Sequence, residues 1–322
     1  MPPRIENGAR SGRRPWVWIA MIALAGCAPP ALYKPGPGPL AIAVTEAVAR
    51  DDPRQRDIRM RIVTPDGKGP FPAVVFSHGA FCYSQNYARV TDHWASHGYV
   101  VISPDHLDSP NNRERMRADQ AAMLLDSRVR DLTVIVDQLA VIAPQADVGR
   151  IAIAGHSFGG MLAMIKAGLL LRDPRGGAPV SHADPRFRAT VVLSGVGPMP
   201  QMADNAFGGL DGALFASGGT RDEGNVGTGE IFPWQWRMSP YTLAPPGDKY
   251  SLVIDNADHY LGGLICRDDR GGEDDFDAVR IVASLSLAFL DAYVEGEPAA
   301  RRFLQRADVR ALTAGRARFE RK

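Results

Sequence analysis

The chain has 322 residues, is 45% hydrophobic and carries a formal net charge of +1. This composition suits one large α/β domain with a sizeable core. It shows no basic stripe interleaved with aromatics, so no nucleic-acid partner is expected.

The first residues do not read as part of a fold. Arg4, Arg10, Arg13 and Arg14 precede an apolar run from Trp16 to Ala25, which is shorter than the roughly 20 residues that span a bilayer. The run ends in Leu24-Ala25-Gly26-Cys27, which resembles a bacterial lipobox. That resemblance implies a lipoprotein signal peptide over residues 1–26. It also implies an exported protein held at a membrane by a lipid anchor on Cys27. Ala28 is not an aspartate-type inner-membrane retention signal, which points to the outer membrane. The alternative is an ordinary signal peptide with an incidental cysteine. Arg13-Arg14 also permits twin-arginine export. Between Ala28 and Leu40 lie five prolines with glycines among them, so residues 27–40 read as a stiff tether. One folded domain is expected over 41–322.

Taken in chain order, residues 41–48 and 57–64 alternate apolar and polar and predict an antiparallel strand pair. Pro72–Ser77 is a continuous apolar run suited to a strand buried on both faces. Ser84–His97 predicts a helix closed by Gly98, and Tyr99–Ser103 another buried strand. Leu125, Val129, Leu132, Val136 and Leu139 recur at helical spacing. Ile151–Ala154 predicts the central strand, followed by a helix to Arg172. Thr190–Leu193, Ala213–Ala216 and Tyr250–Ile254 predict three more strands. Phe276–Tyr293 predicts a long helix ended by Gly296, and the arginine-rich tail a terminal helix with a solvated face. Strands alternating with helices imply a mostly parallel sheet covered on both faces. Its ligands bind beyond the carboxyl ends of the strands.

The central strand leads into Gly155-His156-Ser157-Phe158-Gly159-Gly160. Strand, Gly-x-Ser-x-Gly and helix together predict a sharp turn that lifts a serine nucleophile clear of the sheet edge. A serine hydroxyl needs a base, and the base an orienting acid. Asp222 follows one later strand and His259 the last, giving the order Ser157, Asp222, His259. Glu223, Asp255 and Asp258 are neighbouring carboxylates. An oxyanion hole is expected from the amides of Phe158 and Ala80, with Phe81 as the alternative to Ala80. His78 reads as a group that shapes this loop.

Phe81 and Tyr260 border the nucleophile by position and are expected in the substrate pocket. Residues 222–250 carry Trp234 and Trp236 among prolines, either as an aromatic flap over the cleft or as a satellite hydrophobic cluster. Cys82 and Cys266 lie in loops bordering the same site. In an exported protein they invite a disulfide, the alternative being two buried free thiols. The acidic run Glu273–Asp277 opens the last helix, where carboxylates complement the helix dipole. No metal site is expected.

Over roughly 40–296 the chain resembles the α/β-hydrolase superfamily. It is similar to the branch of platelet-activating-factor acetylhydrolases, dienelactone hydrolases and bacterial cutinase-like polyester hydrolases. The resemblance rests on Phe76-Ser77-His78-Gly79, the elbow at 155–160, Gly219-Thr220-Arg221-Asp222 and Asp258-His259. Pro104-Asp105-His106-Leu107-Asp108-Ser109 leans toward the acetylhydrolases. Dienelactone hydrolases carry cysteine at the elbow, where this chain has serine. The resemblance implies a cofactor-free serine esterase acting through an acyl-enzyme on small or medium lipid-like, aryl or polyester substrates. An amidase or peptidase with the same triad, and a non-catalytic binding lipoprotein on a hydrolase scaffold, are the alternatives.

Overall fold

The strand alternation sorts side chains into two cores. Val74 and Phe76 enter one core, with Ala152 and Ala154; Ala73 and Val75 enter the other, with Ile151 and Ile153. Successive strand residues point to opposite faces, so these runs must be covered on both sides. The computed structural model describes residues 31–112, 123–225, 229–270 and 272–322, with Met1, Pro3, Met116 and Gln120. The elements of the amino-terminal half are β1 (Ile42–Asp51), β2 (Arg56–Pro65), β3 (Phe71–Ser77), α1 (Ala88–Ser96), β4 (Val100–Pro104), α2 (Leu124–Asp137), α3 (Leu139–Ile142), β5 (Ala146–His156) and α4 (Phe158–Ala167). The second half adds β6 (Phe187–Leu193), β7 (Ala213–Gly219), β8 (Gly224–Asn225), β9 (Ile231–Phe232), α5 (Ser239–Thr242) and β10 (Lys249–Ile254). It closes with α6 (Phe276–Leu290), α7 (Pro298–Arg306), α8 (Val309–Leu312) and β11 (Ala317–Arg321).

Nine strands form one sheet in the order β1-β2-β4-β3-β5-β6-β7-β10-β11. The run from β4 to β10 is parallel. At one edge β1 and β2 pair antiparallel, and β2 joins β4 antiparallel. Residues from α1, α6 and α7 fill one core and residues from α2 and α4 the other. Among the described residues no helix is long and apolar enough to cross a membrane.

Three sequence expectations change. The elbow helix stops at Ala167, not Arg172, because Gly168 takes a left-handed φ of 118° and caps it. The arginine-rich tail is not one helix. It forms α7, α8 and the strand β11, which pairs antiparallel with β10. Ala317 and Phe319 join the core, whereas Arg318 and Glu320 alternate with them; charge on an edge strand discourages further pairing. The described half of the tether, residues 31–40, lies on the domain instead of standing off it. Leu32 is buried, Tyr33 Oη and Lys34 Nζ bond Asp291 at 2.8 and 2.7 Å, and Gly38 N donates to Ser96 Oγ at 2.8 Å. An aromatic and an aliphatic anchor in a proline-rich stretch outweigh its stiffness. The predicted signal peptide, beyond Met1 and Pro3, and Cys27 lie outside the described residues.

Candidate active site

β5 ends at His156, and the chain turns into α4 through Ser157 at φ 54°, ψ −118°. A non-glycine residue held there stores strain of order 1–3 kcal/mol. The turn also demands close backbone approach. A Cβ on Gly155 would stand 2.2 Å from Gly159 O, and one on Gly159 would stand 2.0 Å from Ser77 O. These two glycines are what allow the strand and helix to cross under the serine. Ser157 is half-buried, and the Phe158 amide opens α4, where backbone donors lack intrahelical acceptors.

Asp222 and His259 are brought together at the same sheet edge, after β7 and β10. His259 Nδ1 lies 2.8 Å from Asp222 Oδ1, and Asp222 is fully buried. A carboxylate can only accept, so Nδ1 carries a proton, and in the neutral ring the lone pair is then on Nε2. The His259 ring lies 4.6 Å from that of His156, the residue before the nucleophile. The edge of Tyr260 meets it on another side at 4.9 Å. A direct hydrogen bond between Ser157 Oγ and His259 is not among those formed by the described residues; such bonds often tighten only with substrate bound. The other carboxylates are occupied elsewhere or exposed. Asp258 accepts from the Tyr260 and Gly262 amides, Asp255 pairs with Arg318 at 3.2 Å, and Glu223 is exposed.

Two further groups hold Asp222 and carry no role in the sequence reading. Ser194 Oγ donates to Asp222 Oδ2. Arg237 Nε lies 3.1 Å from Asp222 Oδ1, close enough to pair charges but not aimed as a hydrogen bond. Burial pushes the Asp222 carboxyl up, but His259, Arg237 and Ser194 overcome this and bring it down to about 2. Ser194 is legible only as a residue at a strand end, and Arg237 not at all.

The loop after β3 offers amides for an oxyanion. Gly79 N donates to Tyr87 Oη at 2.9 Å, Phe81 N to Asp108 Oδ2 at 2.8 Å, and Cys82 N to Gly79 O at 3.3 Å. Among the described residues the Ala80 amide has no acceptor. Its peptide is oriented from the carbonyl side, because Gly79 O accepts from His78 Nδ1 at 2.7 Å and from Arg128 Nη2 at 3.2 Å. Arg128 also donates to His78 O and forms an ion pair with Asp108 at 2.6 Å, both side chains fully enclosed. Phe81 itself is 57% exposed at a φ of 59°. Cys82 and Cys266 are joined as a disulfide with their Cα atoms 5.2 Å apart, tying this loop to the one that carries His259.

Trp234 and Trp236 do not stand open over the cleft. Trp236 stacks on Phe232 at 5.1 Å and fills the space above Gly197, where a Cβ would come within 2.5 Å of the indole. Trp234 lies against Arg318 of β11. Both pack on the core, because large apolar rings gain more from burial than from an exposed flap. Among the described residues no three His, Cys, Asp or Glu side chains cluster as a metal set.

Two expected results follow from the buried charges. Arg128→Met leaves Asp108 buried without its cation. It should destabilise the fold by about 3–5 kcal/mol in chemical denaturation, and a loss under 1 kcal/mol would contradict the clamp. The second result concerns acid. Asp131 is raised by burial but lowered to about 2 by His106, Arg56 and Arg54, and Asp222 likewise lies at about 2. Their folded values lie below the ordinary 3.9, so their stabilisation is present above pH 4 and is lost as pH falls toward 2. His78, His106 and His156, held neutral chiefly by burial, act in the same sense from about pH 6.5 downward. Unfolding free energy should therefore fall steadily below pH 6.5, most steeply between 4 and 2. A flat profile down to pH 3 would contradict this.

The sheet order, the elbow and the strand-end residues together define an α/β-hydrolase fold. Comparison with solved structures agrees. A protein of Klebsiella pneumoniae subsp. pneumoniae MGH 78578, provisionally assigned as a dienelactone hydrolase, superposes with a TM-score of 0.58 at 16% identity. The match covers 79% of this chain and all of that one. The chlorophyllase family model matches residues 34–171, a stretch holding the oxyanion loop and the elbow but ending before Asp222 and His259. Chlorophyllase-1, chloroplastic, of Citrus sinensis is 33% identical over 103 residues, which is 32% of this chain and 30% of that protein. Chlorophyllase type 0 of Chenopodium album is 30% identical over 109 residues, 33% of this chain and 31% of its own. The chain thus spans about a third of the length of these relatives.

Proposed function

We propose that the protein is a serine carboxylic ester hydrolase working through an acyl-enzyme. The observation that carries this reading is the buried Asp222–His259 pair, whose His259 ring lies 4.6 Å from that of His156, the residue next to the strained serine of the elbow. His259 Nε2 takes the hydroxyl proton as Ser157 Oγ bonds to the ester carbonyl carbon. The carbonyl pair moves onto oxygen, which the Ala80 and Phe158 amides receive. Collapse breaks the bond to the alkoxy oxygen, and His259 returns the proton to the departing alcohol. Water then repeats the sequence on the acyl-serine, releasing the acid and restoring Ser157. Asp222 orients His259 and stabilises its charged form throughout.

The exposed Phe81, next to Ala80, the half-buried Phe158, next to Ser157, and the half-buried Tyr260, packed on His259, suit an apolar acyl or alcohol group. The match to chlorophyllases over the nucleophile half adds chlorophyll to the candidate esters. The test is a panel of p-nitrophenyl esters of rising acyl length, the matching anilides, and chlorophyll. Ester turnover with no anilide turnover supports the reading. Anilide turnover matching that of the esters would replace it with an amidase.

The tether reading is proposed alongside, from Leu24–Cys27 alone. Cys27→Ser should move the protein from the membrane to the soluble fraction of cells expressing it. Unchanged membrane association would remove the lipid anchor from the account.

A further inference from the structure

The histidine inside the elbow, His156, is fully buried, and both of its ring nitrogens are used. His156 Nε2 meets the main-chain carbonyl of His259 at 3.0 Å. His156 Nδ1 meets Tyr87 Oη at 2.9 Å, and Tyr87 Oη receives the Gly79 amide at 2.9 Å. The direction of this chain is fixed at both ends. An amide can only donate and a carbonyl can only accept. Gly79 N–H therefore gives to Tyr87, Tyr87 O–H gives to His156 Nδ1, and His156 Nε2–H gives to His259 O. Of the two neutral forms of His156 only the Nε2–H form fits. Burial, followed by the nearby His259, holds it in that form by lowering its pKa well below the ordinary value.

The three loops linked this way follow β3, β5 and β10, and they carry the oxyanion donor, the nucleophile and the base. They also meet by contact. A Cβ on Gly79 would stand 3.0 Å from His156 Nδ1, 3.1 Å from Tyr87 Oη and 3.3 Å from Cys266 Sγ. The Tyr87 ring is itself held, 4.7 Å from Phe76 in the core. The Gly79 amide precedes the peptide whose N–H is Ala80's, so a shift at Tyr87 turns the oxyanion donor. A shift at His156 moves the main chain from which the His259 imidazole hangs.

We propose that Tyr87 and His156 are positioning residues, whose hydrogen bonds set the Ala80 amide and the His259 ring in register with each other across Ser157. Neither touches the reacting atoms. The inference rests on the esterase reading, and the experiment separates the two. Wild type, Ser157→Ala, Tyr87→Phe, His156→Gln and the Tyr87→Phe/His156→Gln double variant are compared on one p-nitrophenyl ester, with melting temperatures and circular dichroism in parallel. Tyr87→Phe removes one oxygen and keeps the ring. His156→Gln keeps a donor for His259 O but loses the ring.

Each folded single variant should lose about 10- to 100-fold in kcat, less than deletion of an oxyanion donor, with KM changed by less than about threefold. Because the two residues act as one relay, the double variant should fall no more than about threefold below the weaker single variant. Folded variants with wild-type kcat, losses confined to KM, or losses that multiply in the double variant would overturn the relay. Should one single variant fail to fold, the other decides; failure of both would make the role structural and overturn the proposal. Turnover that survives in Ser157→Ala would instead overturn the esterase reading and remove the ground for this one.

Discussion

Ser157→Ala is expected to lower kcat toward esters by roughly 10⁵- to 10⁶-fold, the scale seen when a triad nucleophile is removed. The fold should hardly notice. Ser157 sits half-exposed at the tip of the turn, its hydroxyl bonds no other group among the described residues, and alanine meets the same backbone strain. Stability should change by no more than about 1 kcal/mol. The two readouts must therefore separate. Activity lost together with the fold would say only that the turn is fragile, and activity retained would remove Ser157 from the chemistry.

Asp222→Asn should lower kcat by about 10⁴-fold with the geometry kept. Two donors, His259 Nδ1–H and Ser194 Oγ–H, and the charge of the Arg237 guanidinium converge on this carboxylate. An asparagine would turn an NH₂ group toward one of them. Facing His259, it favours the ring tautomer with hydrogen on Nε2, which cannot accept the proton of Ser157. Steady-state kinetics checks this, and a loss under tenfold would mean that His259 works without its acid.

The parts of the molecule legible in the sequence are those where pattern and chemistry coincide. The buried strands β3 and β4 and the second half of β5, Ile151–Ala154, show as apolar runs because both of their faces are covered. The elbow shows because the turn admits only glycine at 155 and 159. Asp222 and His259 show because a serine nucleophile demands partners after later strands.

What was not legible is buried charge and edge structure. The apolar stripe of α2 shows Leu125, Val129, Leu132 and Val136, and by pattern Arg128 and Asp131 belong to its solvated side. Both are fully buried, because Asp108 and the loop carbonyls meet one and His106, Arg54 and Arg56 meet the other. A charge enters the interior only with partners, and those lie far away in sequence. The strand β11 is hidden in the sequence because Arg318, Glu320 and Arg321 mask its alternation, although Ala317 and Phe319 keep the period of two. Tyr87 and His156 gave no signal, since each acts through a main-chain group of another loop.

In the proposed mechanism Ser157 is a nucleophile activated by His259 and Asp222. Labelling with a fluorophosphonate, followed by mass spectrometric mapping of the modified peptide, tests this directly. One adduct is expected, on Ser157, formed fast in wild type and at a rate cut at least a hundredfold in His259→Ala. No adduct, an adduct on another serine, or labelling indifferent to His259 would contradict it.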